Sequence, residues 1–132
     1  MNFTVRDWMV DTIVYVDPDA TVADALKIMR RRYIHSVIVN KSPTNPEYGI
    51  ITSTDVSDHV IAMGKNPGKL KARDVMHSPL ITINAKLPLR ECAVAMKENK
   101  IHHMPVVDDS GCLVGMISAT DFLVAAEAMI ES

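Results

Sequence analysis

Apolar residues fall three and four positions apart at Val22, Ala25, Leu26 and Met29, which puts them on one face of a helix. Asp19 or Thr21 stands where such a helix needs a side-chain acceptor at its start. The period then changes. Ser36 to Asn40 is a short β-branched run and predicts a strand. Lys41 to Pro46 carries two prolines and an asparagine and predicts a loop. Tyr48 to Thr52 predicts a second strand, and Thr54 to Met63 a second helix that stops at Gly64. The same order returns downstream. Leu89, Cys92, Ala93 and Met96 repeat the helical stripe. Met104 to Val107 and Leu113 to Ile117 predict strands joined by the tight turn Asp108-Asp109-Ser110-Gly111. Ala119 to about Glu131 predicts the last helix.

The recurrence extends to residue identity. Displacing the sequence by 67 positions lays Arg6, Asp7 and Met9 on Arg73, Asp74 and Met76, and Ile34-His35 on Ile101-His102. With one position less, Gly49-Ile50-Ile51-Thr52-Ser53-Thr54-Asp55 falls on Gly115-Met116-Ile117-Ser118-Ala119-Thr120-Asp121. The slip sits in the loop between the two strands, where length changes are tolerated. The chain therefore divides into a first repeat over 1–65, a linker over 66–71 around Asn66-Pro67-Gly68, and a second repeat over 72–132. One repeat alone has few elements with which to cover its apolar faces. The expected solution is for the two repeats to pack sheet to sheet about a pseudo-twofold axis, leaving one cleft per repeat.

Composition narrows the class without changing this picture. The chain has 132 residues, 48% hydrophobic and 23% charged, with a formal net charge of −2. That balance gives no general attraction to nucleic acid or to an anionic membrane. The opening residues carry acids and lack an apolar core, so no secretory leader is expected, and no apolar run approaches the length of a membrane span. A cytoplasmic location is the expectation. Cys92 and Cys112 are too few for a disulfide framework and are expected as buried free thiols.

The candidate chemistry lies where the second strand of each repeat passes into the second helix. Free N–H groups and a partial positive charge at a helix start suit phosphate. Thr52 and Thr54 add hydroxyl donors there, and ionised Asp55 can accept from both hydroxyls of a ribose. Ser118, Thr120 and Asp121 reproduce the set. The ordinary role of Thr or Asp at such a place is capping, and duplication copies a cap as readily as a site.

In sequence and order these segments resemble a known family. Arg73-Asp74-Val75-Met76, Ile101 through Asp108, and Gly115 through Asp121 are similar to a cystathionine-β-synthase (CBS) domain. Arg6-Asp7-Trp8-Met9, Ile34 through Val39 and Gly49 through Asp55 give the first copy, and together they resemble a CBS pair, or Bateman module, standing alone. The resemblance implies an α/β (α+β) fold of two β-α-β-β-α repeats. It implies a regulatory module that binds an adenine nucleotide or adenosyl ligand, with aspartate on ribose and hydroxyls on phosphate. It also suggests apolar walls for adenine, from Thr12, Ile13, Ser36 and Val37 in one cleft, and from Pro79, Leu80, His103 and Met104 in the other. Plain core packing is the competing role for these wall residues. Ligand binding would act by population shift.

Other features weigh less. His35, His102 and His103 precede or open strands and are candidates for phosphate contact, against an ordinary surface role. Adjacent His102 and His103 point to opposite faces of an extended chain and do not suit one metal ion, so no metal site is expected. Arg30-Arg31-Arg32 closes a helix, where cations are favoured. The methionines read as core filler, and Trp8 as an edge packer or a dimer contact. No catalytic set and no phosphate loop emerges. A homodimer is expected, with Val56, Val60, Phe122, Ala126 and Met129 as the candidate face, and an unidentified effector protein as a further partner. Internal packing of those stripes is the alternative. A ligand-free dimerising adaptor is the second functional class, and an enzyme acting on a nucleotide the third.

Overall fold

The computed structural model describes residues 3–130. In chain order its elements are α1 (Val5–Trp8), β1 (Tyr15–Val16), α2 (Val22–Arg32), β2 (Ser36–Val39), β3 (Gly49–Thr52), α3 (Ser53–Val56), α4 (Ala72–Val75), β4 (Ile83–Asn84), α5 (Leu89–Asn99), β5 (His103–Val107), β6 (Leu113–Ser118) and α6 (Ala119–Met129). Two three-stranded sheets form, in the orders β1-β2-β3 and β4-β5-β6. In each, the first pair is parallel and the second antiparallel. The β-α-β-β-α order expected of each repeat is present in both halves, and the fold is α+β. Glu131, the expected end of the last helix, lies outside the described residues.

The compact units do not follow the sequence repeats. Val14 to Leu80 form one unit, and the residues up to Ile13 join those from Ile81 onward to form the other. Each sheet therefore receives the opening segment of the other repeat. In the first-repeat unit, the Val22 N–H donates to the Leu70 carbonyl, the Ala72 N–H to Ala20, and Ile50 and His77 exchange two bonds of 2.9 Å. In the second-repeat unit, the Leu89 N–H donates to Phe3, the Arg6 N–H to Ala85, and Val10 and Met116 exchange bonds of 2.9 and 2.8 Å. A division by contiguous repeat would leave α1 and α4 without their cores. Val5 is fully buried among Ile83, Leu89, Met104 and Ile117, while Ala72 and Val75 are buried among Val22, Val37 and Ile51.

Local chemistry accounts for the helices. Thr21 caps α2, accepting from the Asp24 N–H while Asp24 accepts from the Thr21 N–H, at 3.1 and 3.3 Å. Asp19, the other candidate cap, instead accepts from Arg73 at 2.6 Å. Val22, Ala25 and Met29 face the core. Helices α2 and α5 both end on a left-handed residue, Tyr33 (φ 56°) and Lys100 (φ 55°). These are equivalent positions of the two repeats, and neither is glycine.

The second helix of the first repeat departs from the expected Thr54–Met63 α-helix. Only α3 is α-helical, and Ser57–Ile61 is a π-helical turn. The N–H groups of Ala62 and Lys65 reach back five residues, to Ser57 and Val60. Its counterpart α6 is regular over eleven residues. Such wide turns occur mostly as single insertions and often at functional sites.

Two side-chain expectations are corrected. Val60 is fully buried and Val56 packs on the same core, so the first-repeat half of the supposed dimer face is internal. Phe122, Ala126 and Met129 line an apolar hollow of about 490 Å³ with Phe3, Leu89 and Ala93 of their own unit. Cys112 is exposed, because the turn closed by Gly111 (φ 82°) carries it to the surface, whereas Cys92 is buried in α5. Trp8 packs on the edge of the second-repeat core and stacks at a tilt on Phe3, with centroids 5.4 Å apart.

Burial pushes the Cys92 thiol up to about 11. One fast-reacting thiol per native chain is therefore expected with a disulfide reagent at neutral pH, and two after denaturation. Two fast thiols in the native protein would contradict the packing of α5.

Candidate functional site

Antiparallel register brings the two strand ends of each hairpin together. Ser36 lies opposite Thr52 in the first-repeat unit, and His103 opposite Ser118 in the second. The next residues enter helices whose first N–H groups are tied to the neighbouring strand entry: Ser53 N–H donates to the His35 carbonyl, and Ala119 N–H to His102, at 3.2 and 3.0 Å. Each helix start thus sits beside the residues that precede its partner strand.

The two aspartates are held alike. Asp55 Oδ2 accepts from the Thr52 N–H and hydroxyl at 2.8 and 3.1 Å. Asp121 Oδ2 accepts from the Ser118 N–H and hydroxyl at 2.8 and 3.2 Å. Both are capping carboxylates at the third helical position, and both orient the hydroxyl toward themselves. Their surroundings differ. Asp55 is 1% exposed and Asp121 half-buried. Oδ1 of Asp55 makes no hydrogen bond, and His77 Nδ1 lies against it.

The remaining expected site residues fall as follows. Thr54 and Thr120 are exposed one position before the aspartates. His35 and His102 are exposed, and their carbonyls rather than their rings have the assigned structural bonds. Val37 and Met104 are fully buried members of their cores. Thr12 and Ile13 belong to the unit that holds His103 and Met104, while Pro79 and Leu80 belong to the unit that holds Ser36 and Val37. Each opening segment pairs with the other repeat's last strand, through Val10 and Met116 and through His77 and Ile50.

The CBS domain profile matches residues 5–62 and 72–128. The chain belongs to the CBS domain family. It is a tandem CBS pair, a regulatory module. Among relatives, it is 33% identical over 111 residues to an uncharacterised protein of Methanopyrus kandleri, covering 84% of this chain and 56% of that one. It is 32% identical to a mitochondrial CBS domain-containing protein of Arabidopsis thaliana, covering 78% and 51%. The chain thus spans about half the length of these curated relatives. The hexameric CBS-CP12 protein of bloom-forming cyanobacteria superposes with a TM-score of 0.84 at 30% identity, covering 92% of this chain and 69% of that one. An inosine-5'-monophosphate dehydrogenase of Korarchaeum cryptofilum matches at 31% identity over 122 residues, which cover 91% of this chain and only 22% of that enzyme. No helix among the described residues is long and apolar enough to cross a membrane.

Sequence reasoning missed two residues of this CBS pair's first-repeat site. His59 and His77 stand around the buried Asp55 oxygen, and the potential ligand atoms of all three lie within 4.8 Å of one another. The spacing of Asp55 and His59, four apart at a helix start, was the available signal. Nothing local to His77 announced it, since it arrives from the segment after α4 through the Ile50 pairing.

Proposed function

We propose that this CBS pair is a sensor of adenine nucleotides or adenosyl ligands, without catalytic activity of its own. The observation that carries the reading is the duplicated set of hydroxyl and carboxylate at the two helix starts, Thr52–Asp55 and Ser118–Asp121. A CBS pair of the same fold, 22% identical with a TM-score of 0.82, was crystallised with 5-methylthioadenosine and S-adenosyl-L-methionine, which supports an adenosyl ligand here. Phosphate or another anionic group meets the helix-start N–H groups, and ribose hydroxyls donate to the aspartate. Ligand that favours one arrangement of strand ends over another shifts its population. Asp121, the more open carboxylate, is the stronger candidate ribose acceptor.

Calorimetric titration with AMP, ADP, ATP and S-adenosylmethionine tests this directly. Asp121→Ala removes charge-assisted hydrogen bonds of about 1.5–3 kcal/mol, a loss of roughly tenfold to a hundredfold in affinity. Unchanged affinity in the Asp55→Ala/Asp121→Ala double variant overturns the ribose assignment, and heat from none of the four ligands overturns the sensor reading.

A homodimer formed through α6 completes the proposal. Leu123, Val124 and Ile130 are 72%, 56% and 82% exposed on or just after that helix, an apolar surface suited to a second copy. Light scattering reads the stoichiometry.

A further inference from the structure

The geometry points to a transition-metal site in the first-repeat unit, with zinc-class chemistry, built from Asp55, His59 and His77. The site shares Asp55 with the nucleotide reading, whereas neither histidine is among the groups proposed to hold nucleotide.

The argument starts from an oxygen with nothing to do. Asp55 Oδ2 is used twice by Thr52, but Oδ1, equally buried, accepts no hydrogen bond. A buried carboxylate oxygen left bare is costly. What meets it is His77 Nδ1. An imidazole nitrogen without its proton presents a lone pair to the oxygen's lone pair, and the two repel. Only a positive centre between them, a proton or a metal cation, makes the contact attractive. His59 supplies a third donor within 4.8 Å, with its ring centroid 6.0 Å from that of His77. Two imidazoles and one carboxylate match the nitrogen and oxygen donors that zinc and its first-row neighbours accept. Both histidines are exposed, so small rotations can bring their nitrogens to ligand distance without disturbing the core. Three protein ligands leave a coordination position open to water or an added anion.

The second repeat is the internal control. Position by position, Asp55 corresponds to Asp121, His59 to Ala125, and His77 to Val10. The Asp121 cap and the Val10–Met116 pairing match those of the first repeat. The fold therefore needs neither histidine. Both occur only where the carboxylate is buried, and His59 lies on the π-helical turn that α6 lacks.

Titration of the chelator-stripped full chain with Co²⁺, followed by visible absorption and by displacement with Zn²⁺, tests the site. One equivalent of Co²⁺ in a low-coordinate environment is expected. Its affinity should fall at least about tenfold in His59→Ala and in His77→Ala, and be retained in Cys112→Ser and His102→Ala. Both altered positions are exposed, and circular dichroism checks the fold, with His59→Gln and His77→Gln as the milder pair. Equal Co²⁺ affinity in the parent and the His59→Ala/His77→Ala variant overturns the site, as does loss of binding in Cys112→Ser. All titrations omit nucleotide, so failure here leaves the ligand titrations above untouched, and the converse also holds.

Discussion

A chain ending at residue 68 loses cooperative unfolding, and one covering Val14 to Leu80 recovers ordered structure that the shorter piece lacks. The first-repeat core includes Ala72 and Val75, with Leu70 and Met76 packed against it. Burying one Val- or Met-sized side chain is worth about 1.5–3 kcal/mol. Losing this group removes several kcal/mol from a domain whose total stability is of order 5–15 kcal/mol. The pairing of Ile50 with His77 and the bonds from Val22 and Ala72 go with it. The second repeat alone, starting at residue 72, suffers likewise, because Val5 and the Val10–Met116 pairing are missing. Far-UV circular dichroism and thermal melting of the three pieces decide the matter. A sharp transition in residues 1–68 equal to that of the 14–80 piece would show that the opening segments are dispensable.

The second large effect concerns two equivalent glycines. Gly115→Ala should destabilise by about 2–3 kcal/mol, and Gly49→Ala by less. A Cβ at Gly115 would stand 2.7 Å from the Val10 carbonyl oxygen and 2.6 Å from Met9 Sδ. The carbonyl belongs to a paired backbone and cannot withdraw without breaking the Val10–Met116 bonds. At Gly49 the backbone neighbour, His77 O, is 3.1 Å away, and the closer obstacle is the flexible thioether of Met76. Each kcal/mol lowers the melting temperature by about 4–8 °C in a domain of this size. A melting point for Gly115→Ala at or above that of Gly49→Ala contradicts the argument. Both residues have ordinary φ. Their requirement is space for a neighbouring chain, which is why Gly opens the strand motif in both copies.

The parts of this fold that sequence made legible are those specified by contiguous residues. The α2 and α5 stripes at Val22, Ala25, Met29 and at Leu89, Cys92, Met96 carried their own period, and the repeat fixed the order of elements. Strands β2, β3, β5 and β6 were found to within a residue or so, since β-branched runs bounded by turns mark them. Two-residue strands such as β1 and β4 carry no period at all and followed only from the family pattern. The partnership of each opening segment with the other repeat was not legible. Nothing in Arg6-Asp7-Trp8-Met9 distinguishes one repeat's sheet from the other's, since both sheets derive from one ancestor pattern. The π-turn was hidden for a related reason: Ser57–Ile61 has no residue that forbids an α-helix. At the site, the aspartates and hydroxyls were readable as a local motif. Whether each carboxylate is buried or open depends on what lies over it, and His77 reaches Asp55 from 22 positions downstream.

The interlaced opening segments also dictate how the molecule bears load. Tension applied upstream of Thr4 does not enter the first repeat's sheet. It runs through α1 to the edge of β6 and to the Leu87 and Ala85 carbonyls, so the half encoded last is the first to feel a pull from the front of the chain. Anything tethered there, a fused partner or an optical-trap handle, addresses the second repeat mechanically while standing next to the first in sequence.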